Sequence, residues 1–153
     1  MNNPNASPSQ LRPTQRSLTM QLLNTRELTM TYFRPLLRNY NVTEQQWRVV
    51  RVLAQSPKLD LGTLATETCL LGPSLTRIIQ TLVQEGLITR RPDKQDQRRF
   101  VVTLTPKGQS LYDTISPQSE AIYQHIEEKF GSAKLNRLNK LLSELSDALE
   151  PNT

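Results

Sequence analysis

Apolar residues return every three to four positions over much of the chain, and the breaks between these runs divide it. Leu18, Leu22, Met30, Phe33 and Leu37 predict a first helix, with Ser17 as its cap. Pro35 interrupts the run, so a kink or a restart near Phe33 is expected. A polar break at Asn39 to Val42 follows. Thr43 with Gln46 three residues on then has the capping-box pattern, and Trp47, Val50 and Ala54, with Val49 and Leu53 beside them, predict a second helix ending before Ser56-Pro57. Leu61, Leu64, Ala65 and Thr68 have the spacing of a short buried helix starting at Asp60 or Leu61. Gly72-Pro73 breaks it, and Pro73 suits the first turn of a further helix reaching about Gln84. On that helix Leu75, Ile78, Ile79, Leu82 and Val83 form the buried side. Ser74, Thr76, Arg77, Gln80 and Thr81 lie off it.

The period then changes from helical to alternating. Gly86 is placed to end the helix in a left-handed cap, Leu87 to Arg91 reads as a strand, and Phe100 to Leu104, rich in β-branched residues, reads as its partner. Thr105-Pro106 opens another helix carried by Leu111, Ile115, Ile122, Ile126 and Phe130, with a kink expected at Pro117 and a break at Gly131-Ser132. The last helix bears a continuous stripe that includes Leu135, Leu138, Leu142, Leu145 and Leu149. Helix, turn, helix, hairpin is the order of a winged helix. The expected fold is therefore mainly α (α+β): a winged helix-turn-helix over residues 43–105, with residues 17–42 and 106–150 forming a helical dimerisation region. A leucine-lined hairpin on so small a domain has little of its own chain to cover it. A second copy is the economical cover, and a symmetric dimer would present two recognition helices to a palindrome.

Composition and charge narrow the function. The chain has 153 residues, with 19 Lys and Arg against 14 Asp and Glu, a net charge of +5. Much of that excess sits between the two strands: from Arg90 to Arg99, five basic residues against two acidic leave +3. Arginines on a hairpin tip can reach the minor groove, where the potential is most negative. Residues 1–16, rich in Asn, Pro, Ser and Gln, read as a disordered leader. No apolar run approaches the roughly 20 residues of a membrane span, and the lone cysteine, Cys69, allows no internal disulfide. A cytoplasmic protein with no membrane partner is expected. An enzyme is not: there is one histidine, His125, read as a surface helix residue, no phosphate-binding glycine loop, and no ligand set for a metal or cofactor. Cys69, among Ala65, Leu70 and Leu71, reads as a small buried residue, with a peroxide-sensing thiol as the alternative.

Two residues stay open between structure and ligand. Arg26 falls on the apolar stripe of the first helix and needs a partner, either a glutamate of a neighbouring helix or the carboxylate of a ligand. Trp47 reads as core, or as a lid over an aromatic ligand.

Taken together, Ser74-Leu75-Thr76-Arg77, Gly86-Leu87-Ile88, Asp96-Gln97-Arg98 and Leu104-Thr105-Pro106-Lys107-Gly108 resemble, in order and spacing, the winged-helix domain of the MarR family of bacterial transcription regulators. Within that family the chain is similar to the regulators of homoprotocatechuate (4-hydroxyphenylacetate) degradation, through Ser17-Leu18-Thr19, Arg26-Glu27, Tyr32-Phe33-Arg34-Pro35, Thr43-Glu44-Gln45-Gln46-Trp47 and Pro73-Ser74-Leu75-Thr76. The resemblance implies a homodimeric repressor of an aromatic-acid catabolic operon that binds double-stranded palindromic operator DNA and is released by a small hydroxylated aromatic carboxylate. It implies that Ser74, Thr76, Arg77 and Gln80 face the major groove and that Arg98 enters the minor groove, with Lys94 and Arg99 beside it. Asp96 is expected to orient neighbouring arginines, since a carboxylate against phosphate is repulsive. The effector is expected between the first two helices and the DNA-binding lobe, its carboxylate held by Arg16, Arg26 or Arg51 and its ring against Met20 and Trp47. The alternatives are a regulator that senses oxidation of Cys69 and a ligand-independent protein-interaction module.

Overall fold

The structure, a computed structural model, describes residues 17–56 and 58–150. The expected leader, with Arg16, lies outside them. Among the described residues the order is α1 (Leu18–Asn39), α2 (Glu44–Gln55), β1 (Leu59–Asp60), α3 (Leu61–Thr68), α4 (Gly72–Gln84), β2 (Ile88–Pro92), β3 (Phe100–Leu104), α5 (Pro106–Phe130) and α6 (Ser132–Leu149). The caps follow from side-chain chemistry. Ser17 accepts from the Met20 amide, Thr43 and Gln46 form a reciprocal capping box, Asp60 accepts from Thr63, and Thr105 accepts from Gly108. Gly86 has φ +73°, the left-handed geometry expected of it. Pro35 lies inside α1, which runs on to Asn39 without a restart.

The sheet is antiparallel in the order β1-β3-β2, with Ile88 opposite Leu104 and Pro92 opposite Phe100. β1 is a strand the periodicity misses. It has two residues, and its pairing of Leu59 with Val102 and Asp60 with Val101 is made by backbone groups that no side-chain pattern reports.

α2 joins two cores. Val49 and Leu53 face the first, where Leu64, Leu75, Ile79, Leu82, Ile88 and Val102 bind α3, α4 and the sheet into one lobe. Trp47 and Val50 face the second, with Leu36, Leu37 and Ile115, which fixes the end of α1 and the first half of α5 onto the same helix. Full burial of such a side chain stabilises by about 1.5–3 kcal/mol, so α2 is held from both sides. The α1 stripe is buried only at its end: Phe33 and Leu37 are covered, whereas Leu18 and Leu22 are exposed. No residue of α6 is buried, and Leu138, Leu141, Leu142 and Leu149 stand in solvent.

Two expectations are overturned. Cys69 is exposed, because it is the left-handed C-cap of α3 (φ 51°, ψ 39°) at the turn between the two helices. Val83 is 41% exposed, since it lies at the edge of the α4 stripe, beyond the line of Leu75, Ile79 and Leu82.

The start of α5 is clasped to the end of α4. The Thr105 hydroxyl donates to the Gly86 carbonyl at 2.6 Å, Lys107 Nζ donates to the Glu85 carbonyl at 2.7 Å, and the Thr105 amide donates to the Leu87 carbonyl at 3.0 Å. Gly108 is required by this approach: a Cβ there would collide with the Leu87 carbonyl and crowd Leu104. Gly108→Ala is therefore expected to destabilise the fold by about 1–3 kcal/mol, read as an earlier midpoint in urea unfolding. An unchanged midpoint would mean that the turn moves aside freely.

Candidate nucleic-acid interface

α4 presents its polar side to solvent beside the β2–β3 hairpin. Leu75, Ile79 and Leu82 anchor it, which leaves Ser74, Thr76, Arg77 and Gln80 exposed on the opposite side. The Thr76 hydroxyl donates to the Gly72 carbonyl at 3.0 Å and the Thr81 hydroxyl to the Arg77 carbonyl at 3.1 Å. Each oxygen is thereby left as an acceptor toward solvent. Hydroxyls, an amide and a guanidinium are the groups that can hydrogen-bond base edges and phosphates.

The hairpin tip is ordered by its aspartates. The Asp93 carboxylate accepts from the Gln95 amide and the Asp96 carboxylate from the Arg98 amide, both at 3.0 Å, and the Arg99 amide donates to the Asp96 carbonyl at 2.9 Å. Asp96 thus shapes the turn through the backbone of Arg98. The turn is of the local Asx type and fixes the backbone from which Arg98 and Arg99 project. Lys94, Arg98 and Arg99 project from this turn, exposed. Among the described residues, no carboxylate is in ion-pair range of these three or of Arg77. Arg77, Lys94 and Arg98, together with Arg99, whose charge also acts on the Asp60 carboxylate, make a surface suited to a polyanion.

The expected effector residues fall into separate places. Arg26 is held by Glu27 at 2.9 Å and by Glu44 of α2 at 3.0 Å, and Arg34 joins both glutamates, so four side chains tie α1 to α2. Burial pushes the Glu44 carboxyl up, but the hydrogen bonds from Arg34 and Arg26 outweigh it and hold the group below the usual carboxylate range. The helix-to-helix partner expected for Arg26 is thus present. Trp47 is 5% exposed and stacks on Tyr112 of α5, with ring centroids 5.8 Å apart. One turn beyond it, Arg51 donates to the Tyr123 hydroxyl at 3.0 Å and lies 5.6 Å from the centre of that ring, which also meets Phe33. Met20 is half-buried in the first turn of α1. The residue that pattern reading misses is Tyr123. It lies 72 positions from Arg51 and next to Ile122 of the α5 stripe, so only the packing of α5 on α2 brings the pair together. Arg51, unlike Arg26, has no carboxylate partner among the described residues.

Among the described residues, no cluster of metal-ligating side chains occurs and no helix is long and apolar enough to cross a membrane. The model of the MarR family matches residues 42–100. The chain is 45% identical over 128 residues to the homoprotocatechuate degradative operon repressor of Escherichia coli, covering 84% of this chain and 86% of that one. It is 42% identical over 130 residues to the HTH-type transcriptional regulator FarR of Neisseria gonorrhoeae, covering 85% and 89%. Among solved structures it is similar to NadR in complex with 4-hydroxyphenylacetate, at 39% identity and TM-score 0.79, covering 86% of this chain and 96% of that one.

Proposed function

Because the chain belongs to the MarR family of winged-helix transcriptional regulators, we propose that it is a homodimeric repressor of an aromatic-acid catabolic operon. It binds a palindromic operator and is released by a hydroxylated aromatic carboxylate of the hydroxyphenylacetate type. The observation that carries the DNA-binding part is the exposed Ser74, Thr76, Arg77 and Gln80 of α4 beside the exposed Lys94, Arg98 and Arg99 of the wing. α4 enters the major groove and the wing the adjoining minor groove. Operator binding places the repressor in the cytoplasm.

For the effector, the support comes from Arg51 and from the ligand named with NadR. In this reading the carboxylate takes the Arg51 guanidinium and the ring lies near Trp47, whereas Met20, at the opposite end of α1 from Leu36 and Leu37, would reach it only from a second copy. Tyr123, already hydrogen-bonded to Arg51, serves as a second polar contact. Arg26 is tied into the α1–α2 network and keeps that cleft in shape. The acid favours the spacing of recognition helices that does not fit the half-sites. A tenfold loss of operator affinity requires only about 1.4 kcal/mol of coupling.

The test is a thermal-shift and anisotropy series with 4-hydroxyphenylacetate. A ligand at 100 times its Kd stabilises the fold by about 2.7 kcal/mol, so a clear rise in melting temperature is expected, together with release of a promoter-upstream duplex. Arg51→Ala should keep DNA binding and lose both responses. Parent protein that responds to no aromatic acid, or an Arg51→Ala variant that responds fully, would overturn the effector reading. Loss of regulation in Cys69→Ser would favour the redox alternative, since the thiol is exposed.

A further inference from the structure

A helix in the major groove and a hairpin in the adjoining minor groove straddle one sugar–phosphate strand, because that strand is the ridge between the grooves. The strand has to pass between α4 and the base of the wing. In this chain that space is a crevice of about 530 Å³, floored by Ile79 and Val83 and edged by Gln80, Gln84, Arg90 and Phe100. Two of its features have no part in the core. Val83 is 41% exposed and Phe100 38% exposed, on the side of the lobe where the polar groups gather. In addition, the Arg90 guanidinium carbon lies 4.2 Å from the centre of the Phe100 ring. Phe100 is the diagonal neighbour of Arg90 across the sheet, since Arg90 pairs with Val102, and the two side chains share a face. No carboxylate pairs with Arg90 among the described residues.

We propose that this crevice seats the sugar–phosphate strand, with Arg90, held over the Phe100 ring, gripping a phosphate while Val83 packs against the deoxyribose. The assignment rests on the DNA-binding reading given above. Stacking occupies only the face of the guanidinium and leaves its edge N–H donors free, in the fork that matches phosphate oxygens. A side chain already held by the ring has less freedom to lose on binding. The apolar floor excludes water from one side of the ion pair and so strengthens it. Neither residue reads sequence in this arrangement, because a phosphate is the same at every step.

The experiment uses the full chain in anisotropy titrations against two duplexes of equal length, one from the DNA upstream of its own gene and one scrambled, over a series of salt concentrations. Arg90→Gln is expected to weaken binding to both duplexes by about tenfold and to reduce the slope of log affinity against log salt by about one. Phe100→Leu keeps every charge. It is expected to weaken binding several-fold in the parent and to have almost no effect when Arg90→Gln is already present. Melting temperatures unchanged from the parent show that the losses lie in binding. Three results overturn the proposal: an unaltered slope in Arg90→Gln, a loss confined to the promoter duplex, or a Phe100→Leu effect independent of Arg90. Parent protein without salt-dependent binding to either duplex would instead overturn the DNA-binding reading, and this one with it.

Discussion

Replacing Leu138 and Leu142 together by glutamate should give a monomer that binds its operator about 10²–10⁴-fold more weakly than the parent. The two leucines are one helical turn apart on α6, each 37% exposed in the isolated subunit. Neither belongs to a core of the subunit. The two clusters that hold it together draw their buried residues from α1 to α5, so the variant should keep its helicity and melt cooperatively. The loss would be in association. Leu18, Leu22 and Leu28 of α1, exposed at 44%, 42% and 68%, extend the apolar surface that a second copy is expected to cover. Once the subunits part, each winged lobe has to bind its half-site without the effective concentration that the other supplies. Sedimentation velocity gives the mass and anisotropy the affinity. A variant that stays dimeric with undiminished affinity would move the interface away from α6.

The second large effect is expected at Arg77. Arg77→Ala should weaken binding to the operator by about 1–3 kcal/mol, roughly 5- to 150-fold, and should narrow the gap between operator and scrambled duplex. Arg77 is exposed on α4 and has no ion pair among the described residues, so its removal leaves no buried charge behind and the effect reads directly as binding. Arg98→Ala is the informative contrast. It projects from the wing tip, and its loss should weaken both duplexes alike while lowering the salt slope by about one. If the two variants lost the same amount on every sequence, α4 would not be the reading helix.

Much of the fold is legible in the sequence because its helix ends are written in short-range chemistry. Ser17, Thr43 and Thr105 are caps wherever a hydroxyl precedes an apolar period, and Gly86 stands where a left-handed residue is needed. The strand from Phe100 to Leu104 is found at its observed bounds, since β-branched residues bunch there. Arg26 announces its own partner: a charge on an apolar stripe demands one, and Glu44 supplies it. What pattern reading loses depends on distance along the chain or on a residue at the margin of a face. Cys69 has apolar neighbours, yet its place at the end of α3 turns it outward. Val83 fits the stripe by count and leaves it by angle. Arg51 and Tyr123 are 72 positions apart, and Arg90 meets Phe100 only through the register of the hairpin, diagonally across the sheet. The α6 surface proposed to face a second copy reads as an apolar stripe in the sequence and as open leucine in the structure.

The clasp at Gly108 bears on how a signal travels. With three hydrogen bonds and no space for a methyl group, the start of α5 is tied tightly to residues 85–87, which directly follow α4. α4 is thereby coupled to α5 through those residues. In the reading proposed above, a small swivel of α5, which carries both Pro117 and Tyr123, would be passed on to α4 without any change in the side chains of α4. On that reading, an inducer seated on the α2–α5 face would disengage the protein from the duplex by aiming its reading head elsewhere, leaving the head itself intact.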